Sequence, residues 1–491
     1  MKHTSLEFRF RQVLVLSGFL VYLGAVSLSF DQLKEADLGW HLKSGEWLIR
    51  NLSLPIHDPF SLDGGTRPWY PYSWLYEIVL YGFTSTMGLI GTLLLTCLLS
   101  GIGLWLAFLL LGQARVQRTQ AIMLGALFLI GISTLYTPRP WLFNIDLFLL
   151  ELILTDRYRK TGKPIVLLYL PLIFLLWANI HIQFIYGLYF LGIQWLEAFI
   201  TDHLRPERNS NNHTSRDLGW ALALSTLACC MTPDPLALIQ TLVSTIQQTG
   251  VRTYVLEMRA MAFRSVSDWA ILGLVLLTVH QLKFNRAQLS NWVLLLTGIV
   301  MAFTSARDVW YLASLALWAQ ISSQRAYQVD EGFNLEARDW ILALPIAALL
   351  LTGLFLKHFP AADSPEAHLA KRFPVAATEV MNQRHYPGPI FNHYDWGGFL
   401  IWKLKDHKVS MDGRANLYGD QRIERHIETW NGGPHWDQNP ELLRANTIIA
   451  PKVMPLTSLL RERPEYQLVY EDALACIFIR KTLRPLEAAH S

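Results

Sequence analysis

Val13-Leu14-Val15-Leu16-Ser17-Gly18-Phe19-Leu20-Val21-Tyr22-Leu23-Gly24-Ala25-Val26-Ser27-Leu28-Ser29-Phe30 is almost wholly apolar and long enough to cross a bilayer as one helix. It runs shortly into Glu35-Ala36-Asp37-Leu38-Gly39-Trp40-His41. That order places an acidic pair where the chain emerges at a membrane surface. Two carboxylates at this spacing either hold a divalent metal or serve as a general base. Lys2, Arg9 and Arg11 before the run give it the look of a signal peptide. The run is long, however, and no small-residue cleavage site follows it, so it reads as a retained first helix.

The rest of the chain agrees. Of its 491 residues 52% are hydrophobic and only 16% charged, against roughly a quarter charged in a soluble domain. The apolar residues come in blocks. Candidate spans are Val13–Phe30, Met87–Leu111, Ala121–Tyr136, Trp141–Leu154, Ile165–Ile180, Phe184–Ile200, Leu218–Met231, Trp269–Leu282, Trp292–Phe303, Val309–Ile321 and Trp340–Leu356. That makes about eleven transmembrane helices, several shorter than the ~20 residues of a full span. Trp141–Leu154 is the weakest, because Asp146 and Glu151 lie within it. Many of the tryptophans and tyrosines flank these runs, where amphipathic rings suit the lipid–water boundary.

A formal net charge of +3 without a basic run excludes nucleic acid as the expected partner. Cys97, Cys229, Cys230 and Cys476 lack metal-ligand spacing and suggest no disulfide framework. Alternate connections carry Arg115/Arg118, Arg157/Arg159/Lys160/Lys163, Arg205/Arg208/Arg216, Lys283/Arg286 and Arg325/Arg338. This asymmetry sets the N-terminus in the cytoplasm. The first long loop (31–86), the loop Thr232–Asp268 and the tail then lie outside. The expected domains are residues 1–357, a transmembrane domain, and 358–491, a small α/β domain. In the tail, short strands (Ile390-Phe391, Val409–Met411, Thr447–Ala450, Gln467–Tyr470, Leu474–Ile479) alternate with helices (from Gly397, Ile423–Trp430, Glu441–Ala445, Leu456–Arg461). At about 130 residues the tail can bury its own core. His358 to Pro374 reads as its tether.

The first external loop is dense in chemistry. Glu35, Asp37, His41, His57, Asp58 and Glu77 crowd a stretch that also holds Trp40, Trp47, Trp69 and Trp74. The helix around Trp40 and Leu48 is amphipathic enough to lie on a membrane surface. Arg139 and Arg307 stand alone at outer helix ends, against the charge bias. A guanidinium fork there either pairs with phosphate or snorkels to the headgroups. Asn179 and His181, in Trp177-Ala178-Asn179-Ile180-His181-Ile182-Gln183, either bind sugar hydroxyls or satisfy backbone at a helix break. In the tail, Tyr394-Asp395-Trp396-Gly397-Gly398 and Asp412-Gly413-Arg414 follow strand-like runs, where ligands of α/β sheets tend to bind. The second is equally a turn with an ion pair.

An acidic pair directly after the first helix, on the outer face of a multi-helix chain, resembles the GT-C superfamily of glycosyltransferases, which use polyprenyl-phosphate-linked sugars. More closely, the chain is similar to a group of bacterial polytopic membrane proteins. The matching residues are Glu35/Asp37, Trp40-His41-Leu42, Gly45/Trp47/Ile49, Pro55/Asp58-Pro59-Phe60-Ser61, Trp74-Leu75/Glu77, Arg139-Pro140, Trp177/Asn179/His181, Arg307, Tyr394/Trp396-Gly397-Gly398 and Asp412-Gly413-Arg414. They span nearly the whole chain. Gly39, where the group often has a second Trp, and Glu35, where Asp is more usual, are departures.

The GT-C resemblance implies an inverting glycosyltransferase of the bacterial inner membrane with a periplasmic tail. Its donor is a polyprenyl-phosphate-linked sugar and its acceptor a glycan or protein. Asp37, Glu35 and His41 are then the catalytic candidates, and Glu35 and Asp37 also the ligands of any divalent metal (Mg or Mn). Arg307 and Arg139 hold the donor phosphate. Asn179, His181, Asp58, Tyr394, Trp396, Asp412 and Arg414 are candidates for sugar or acceptor binding. Two rivals stand beside this reading: a ligase that moves a whole lipid-linked glycan, and a non-enzymatic assembly protein. Charged groups near one face rather than at the membrane midplane argue against a transporter.

Overall fold

The computed structural model describes residues 2–66, 68–114, 116–204, 214–248, 258–285, 288–323, 333, 335–358, 364–405 and 407–481. Arg115, Arg205, Arg208, Arg286 and Arg325 of the orientation argument, and residues 359–363 of the tether, lie outside them. In chain order the helices before the tail are α1 (Lys2–Ser27), α2 (Leu38–Asn51), α3 (Trp74–Gln113), α4 (Arg118–Gly131), α5 (Trp141–Thr161), α6 (Leu170–Ile180), α7 (Phe184–Leu204), α8 (Thr214–Cys229), α9 (Pro235–Gln247), α10 (Val266–Asn285), α11 (Leu289–Thr304), α12 (Val309–Ser322) and α13 (Ala337–His358). The chain forms two compact units. One comprises Met1–Gln32, Thr92–Leu238 and Arg252–Ala362; the other comprises Leu33–Gly91, Ile239–Val251 and Asp363–Ser491.

The first unit is a helical membrane body. Among the described residues four stretches are long and apolar enough to cross a membrane: Arg9–Lys34, Trp74–Gln113, Phe184–His203 and Ala337–Leu356. Each span expected from the sequence falls on a helix, although Ile165–Ile180 opens as a 3-10 stretch over Pro164–Tyr169 before α6. Helix α9 was not expected inside the Thr232–Asp268 loop. Its residues are apolar but too few for a full span. The doubtful α5 is one continuous helix that buries both Asp146 and Glu151. α12 is buried along nearly its whole length, with Trp310, Tyr311 and Trp318 fully enclosed. A helix apolar all round belongs in such a position. α3 is broken at Gly88, whose backbone (φ 63°, ψ −157°) suits glycine alone.

The second unit joins the first long loop to the α/β tail. The tail adds α14 (Pro365–Ala370), α15 (Val375–Arg384), β1 (Ile390–Asn392), α16 (Gly397–Lys403), α17 (Ala415–Tyr418), α18 (Asp420–Trp430), α19 (Pro440–Arg444), β2 (Thr447–Pro451), α20 (Pro455–Arg461), β3 (Tyr466–Glu471) and β4 (Ala475–Arg480). The strand order is β1-β2-β4-β3. β1 runs parallel to β2, with Ile390 opposite Thr447. β2 is antiparallel to β4, and β4 to β3. Phe391, Trp430, Leu442, Ile448, Leu460 and Phe478 form its hydrophobic core.

Two expectations change here. Val409–Met411 is not a strand: Val409 makes only isolated bridges to Ser61 and Ile390. The Asn392 side chain takes the place of a ladder. Its Oδ1 accepts from the Ser410 amide at 3.0 Å, and its Nδ2 donates to the Met411 carbonyl at 2.8 Å. Trp40, Leu42 and Leu48 of α2 are all buried, with α16 packed on the helix, so protein rather than lipid covers them.

Candidate functional site

The acidic pair lies in the turn that opens α2. Asp37 occupies the N-cap position, yet its side chain makes no capping hydrogen bond. The residue is mostly buried, at 7% exposure. A β-carbon added at Gly413 would overlap Asp37 Oδ1, so the carboxylate rests directly on the Gly413 backbone. A negative charge is stabilised at the N-terminal end of a helix. Glu35, half-buried, accepts a long hydrogen bond from the Asp37 amide at 3.5 Å. Glycines make the approach possible. A β-carbon at Gly39 would strike the Gly398 carbonyl, and one at Gly398 would come within 2.5 Å of the Ala36 carbonyl. Gly39, a departure in sequence, is thus the residue this contact requires.

His41 is buried, with Nδ1 3.4 Å from Glu77 Oε1. Its ring lies on Trp40 (3.6 Å between centroids) and against the edge of Tyr76 (5.2 Å). Ser73 donates to the same Glu77 oxygen at 3.0 Å.

Asp58, Asp412 and Arg414 come together. Arg414 Nη1 donates to Asp58 at 2.7 Å, while Nε and Nη2 fork onto the two oxygens of Asp412 at 2.8 and 2.7 Å. The guanidinium also lies over Trp69 at 4.6 Å. Asp58 closes its own Asp-Pro-Phe-Ser turn by accepting the amides of Phe60 and Ser61 at 3.0 and 3.1 Å. Burial pushes the Asp58 carboxyl up. Arg414's charge and these hydrogen bonds more than offset that, and hold it below the usual carboxylate range. Tyr394 donates to the Gly413 carbonyl at 3.5 Å, whereas the buried Trp396 donates to the Arg372 carbonyl at 3.0 Å. The sequence reading missed Asp63, which accepts from Arg422 at 3.0 Å and Arg444 at 2.6 Å. Its Leu-Asp-Gly-Gly setting signals only a turn.

The other candidates belong to the membrane body. His181 sits between α6 and α7, and its ring nitrogen Nδ1 is 2.8 Å from Asn144 Nδ2. Burial first, then the charges of Arg307 and Arg139, push the His181 imidazole down to about 3. Both arginines thus act on this ring through their charge. Arg139 also stacks over Trp141 at 5.0 Å. Asn179 stands apart from this cluster, bound to the Leu175 and Met231 carbonyls at 2.8 and 3.2 Å. Asp308, beside Arg307 in sequence, accepts from Gln183 at 2.9 Å and Tyr186 at 3.1 Å. Sequence reasoning marked Gln183 only as a polar residue beside His181 and missed Asn144 and Tyr186, because a polar residue in an apolar helix gives no sign of its partner. It also missed Arg259, whose carbonyl accepts from the Ala306 amide at 2.9 Å and so anchors the turn that holds Arg307.

Among the described residues no group of three or more His, Cys, Asp or Glu is placed to hold a metal ion. Glu35 and Asp37 offer carboxylates only, and a hard divalent cation takes about six or more oxygens. Water and a substrate phosphate would have to complete such a set around Glu35 and Asp37.

No family model matches the chain, and no curated protein matches it. Among solved structures, it is similar to an archaeal oligosaccharyltransferase, AglB from Archaeoglobus fulgidus, in complex with an inhibitory peptide and a dolichol-phosphate. The TM-score is 0.54 and the identity 11%, over 91% of this chain and 70% of that one. ArnT from Cupriavidus metallidurans, bound to undecaprenyl phosphate, aligns over 94% of this chain and 98% of its own at 12% identity and a TM-score of 0.43. The chain is a polytopic helical membrane protein of GT-C-like fold that carries a small α/β domain near its C-terminal end.

Proposed function

We propose that the protein is an inverting glycosyltransferase that moves a sugar from a polyprenyl phosphate to an acceptor hydroxyl outside the cytoplasm. The observation that carries this reading is Asp37: a carboxylate just after the first helix, at the N-cap position of α2 and seated on Gly413. Asp37 accepts the acceptor's proton as its oxygen bonds to the anomeric carbon. The bond from that carbon to the phosphate oxygen breaks, and the polyprenyl phosphate leaves without protonation. Glu35 acts beside Asp37. Arg307 and Arg139 hold the donor phosphate, for which a guanidinium fork is well shaped. Asp58, Asp412 and Arg414 keep Gly413 in place under Asp37, on the acceptor side with Tyr394 and Trp396, while His41 is steadied by Glu77. The proposed setting is the bacterial inner membrane with the tail in the periplasm.

A second reading, transfer of a whole lipid-linked glycan, is favoured by the likeness to an oligosaccharyltransferase that binds dolichol-phosphate. Product mass separates the two. The test is mass spectrometry of lipid-linked sugars in a strain lacking the protein. Accumulation of one donor, restored to normal by the wild type and not by Glu35→Gln/Asp37→Asn, is expected. Normal glycan levels with the well-expressed double variant would replace the enzyme by a scaffold.

A further inference from the structure

In the membrane body, Trp177, Asn144, His181, Gln183 and Asp308 form a chain of hydrogen bonds whose direction can be read at every link. Trp177 Nε1 can only donate, and it lies 2.8 Å from Asn144 Oδ1. That fixes the Asn144 amide, so Nδ2 must face the other way. Its hydrogens go to Gln183 Oε1 at 2.5 Å and to His181 Nδ1 at 2.8 Å. Gln183, accepting through oxygen, donates through Nε2 to Asp308 at 2.9 Å, and a carboxylate is the acceptor this polarity requires. The two ends of the chain, an indole and a carboxylate, therefore agree on one orientation. His181 Nδ1 is an acceptor, and the proton of a neutral ring must sit on Nε2. All five side chains are buried.

We propose that His181 is a neutral hydrogen-bond donor, through Nε2–H, to an oxyanion bound by Arg307 and Arg139, and that Asn144, Gln183 and Asp308 are positioning residues that fix this tautomer. This rests on the phosphate-binding reading of the two arginines. A cationic third partner would repel both guanidinium groups, whereas a neutral donor adds a directional bond without that cost. The depressed basicity of the ring is what such a place demands. His181 would then report on the geometry of the phosphate oxygens, and the arginines on its charge.

The full-length protein, labelled with 15N-histidine in lipid nanodiscs, tests this. The His181 ring signals are assigned by their loss in His181→Gln. A neutral ring protonated at Nε2 is expected, with its Nε2 signal moving when undecaprenyl phosphate is added. A matching shift with inorganic phosphate supports the same role for a free oxyanion. In Asn144→Asp the proton should move to Nδ1, or the ring become charged. For undecaprenyl phosphate binding, His181→Gln, which keeps a donor, should stay within about threefold of wild type. His181→Phe should lose about tenfold or more, as for a hydrogen bond to a charged group. An Nδ1–H tautomer or an imidazolium in the wild type overturns the assignment. So does unchanged affinity in a folded His181→Phe protein while Arg307→Ala weakens binding. If Arg307→Ala and Arg139→Ala both bind the lipid normally, the phosphate reading itself fails, and that outcome is distinct.

Discussion

Asp37 and Gly413 form a contact in which each residue constrains the other. Asp37→Asn keeps the shape and loses the base, so turnover should fall by about 10²–10⁴ with little change in thermal stability. Gly413→Ala should lower activity too, but with a loss of stability, because its methyl group occupies the place of the carboxylate. Parallel melting and turnover measurements separate these effects. Chelator-sensitive turnover would add a divalent cation to Glu35 and Asp37, with lipid phosphate and water completing its shell. Chelator-resistant turnover would leave Asp37 acting alone.

A second residue prediction concerns pH. His426 lies in the core of the tail and accepts from Trp430 Nε1 at 3.0 Å, as only an unprotonated nitrogen can. Burial, then the neighbouring His393, push it down to about 3. An unfolded histidine titrates near 6.5. Stability from the neutral ring is therefore complete above about pH 6.5 and is lost as pH falls from there towards 3. The loss is at most about 1.4 kcal/mol per pH unit. Melting of wild type should decline between pH 7 and 4, and His426→Gln should flatten that decline. An equal slope in both would show that the decline comes from other groups.

At the scale of elements, the packing of α2 on α16 depends on Gly39 and Gly398. Gly39→Ala inserts a methyl group into a backbone carbonyl, a kind of overpacking that costs roughly 1–3 kcal/mol. Because Asp37 sits at the N-cap position of α2, activity should fall together with the melting temperature. A variant that melts normally and turns over normally would show that the contact relaxes freely. This scale also shows what the chain discloses before folding. Apolar blocks located the membrane helices, and four tail strands and four tail helices fell close to their expected places, because period and length are local properties. Val409–Met411 had the composition of a strand but lost its ladder to the Asn392 side chain, a distant substitution. The amphipathic α2 was legible as a helix, but nothing local distinguishes a face meant for lipid from one meant for α16. Asp58 and Arg414 each stood out as candidates, yet their pairing joins positions 356 residues apart. The Asn144–His181 link was hidden for the same reason.

For the molecule as a whole, we propose from the charge asymmetry of the loops that the chain enters the membrane from the cytoplasm and that the tail lies outside it. A phosphatase reporter fused after Ser491 should be active, and a reporter that works only in the cytoplasm should be silent there. The reverse result would put the acidic pair on the cytoplasmic face and end the assignment to a periplasmic acceptor.

The pairing of Asp58 with Arg414 also sets a timetable. Synthesis runs from the N-terminus, at about 5–20 residues per second. The 356 residues between the partners then take roughly 20–70 s to make. For that interval Asp58 has no guanidinium, α2 has no α16, and the early loop must wait in a form other than its final one. A ribosome that stops short of the tail releases a chain whose membrane helices are complete but whose loop cannot close. Such a product exposes the residues of α2 that α16 covers, an apolar surface that limited proteolysis would detect. The tail is thus the check on a loop made before it.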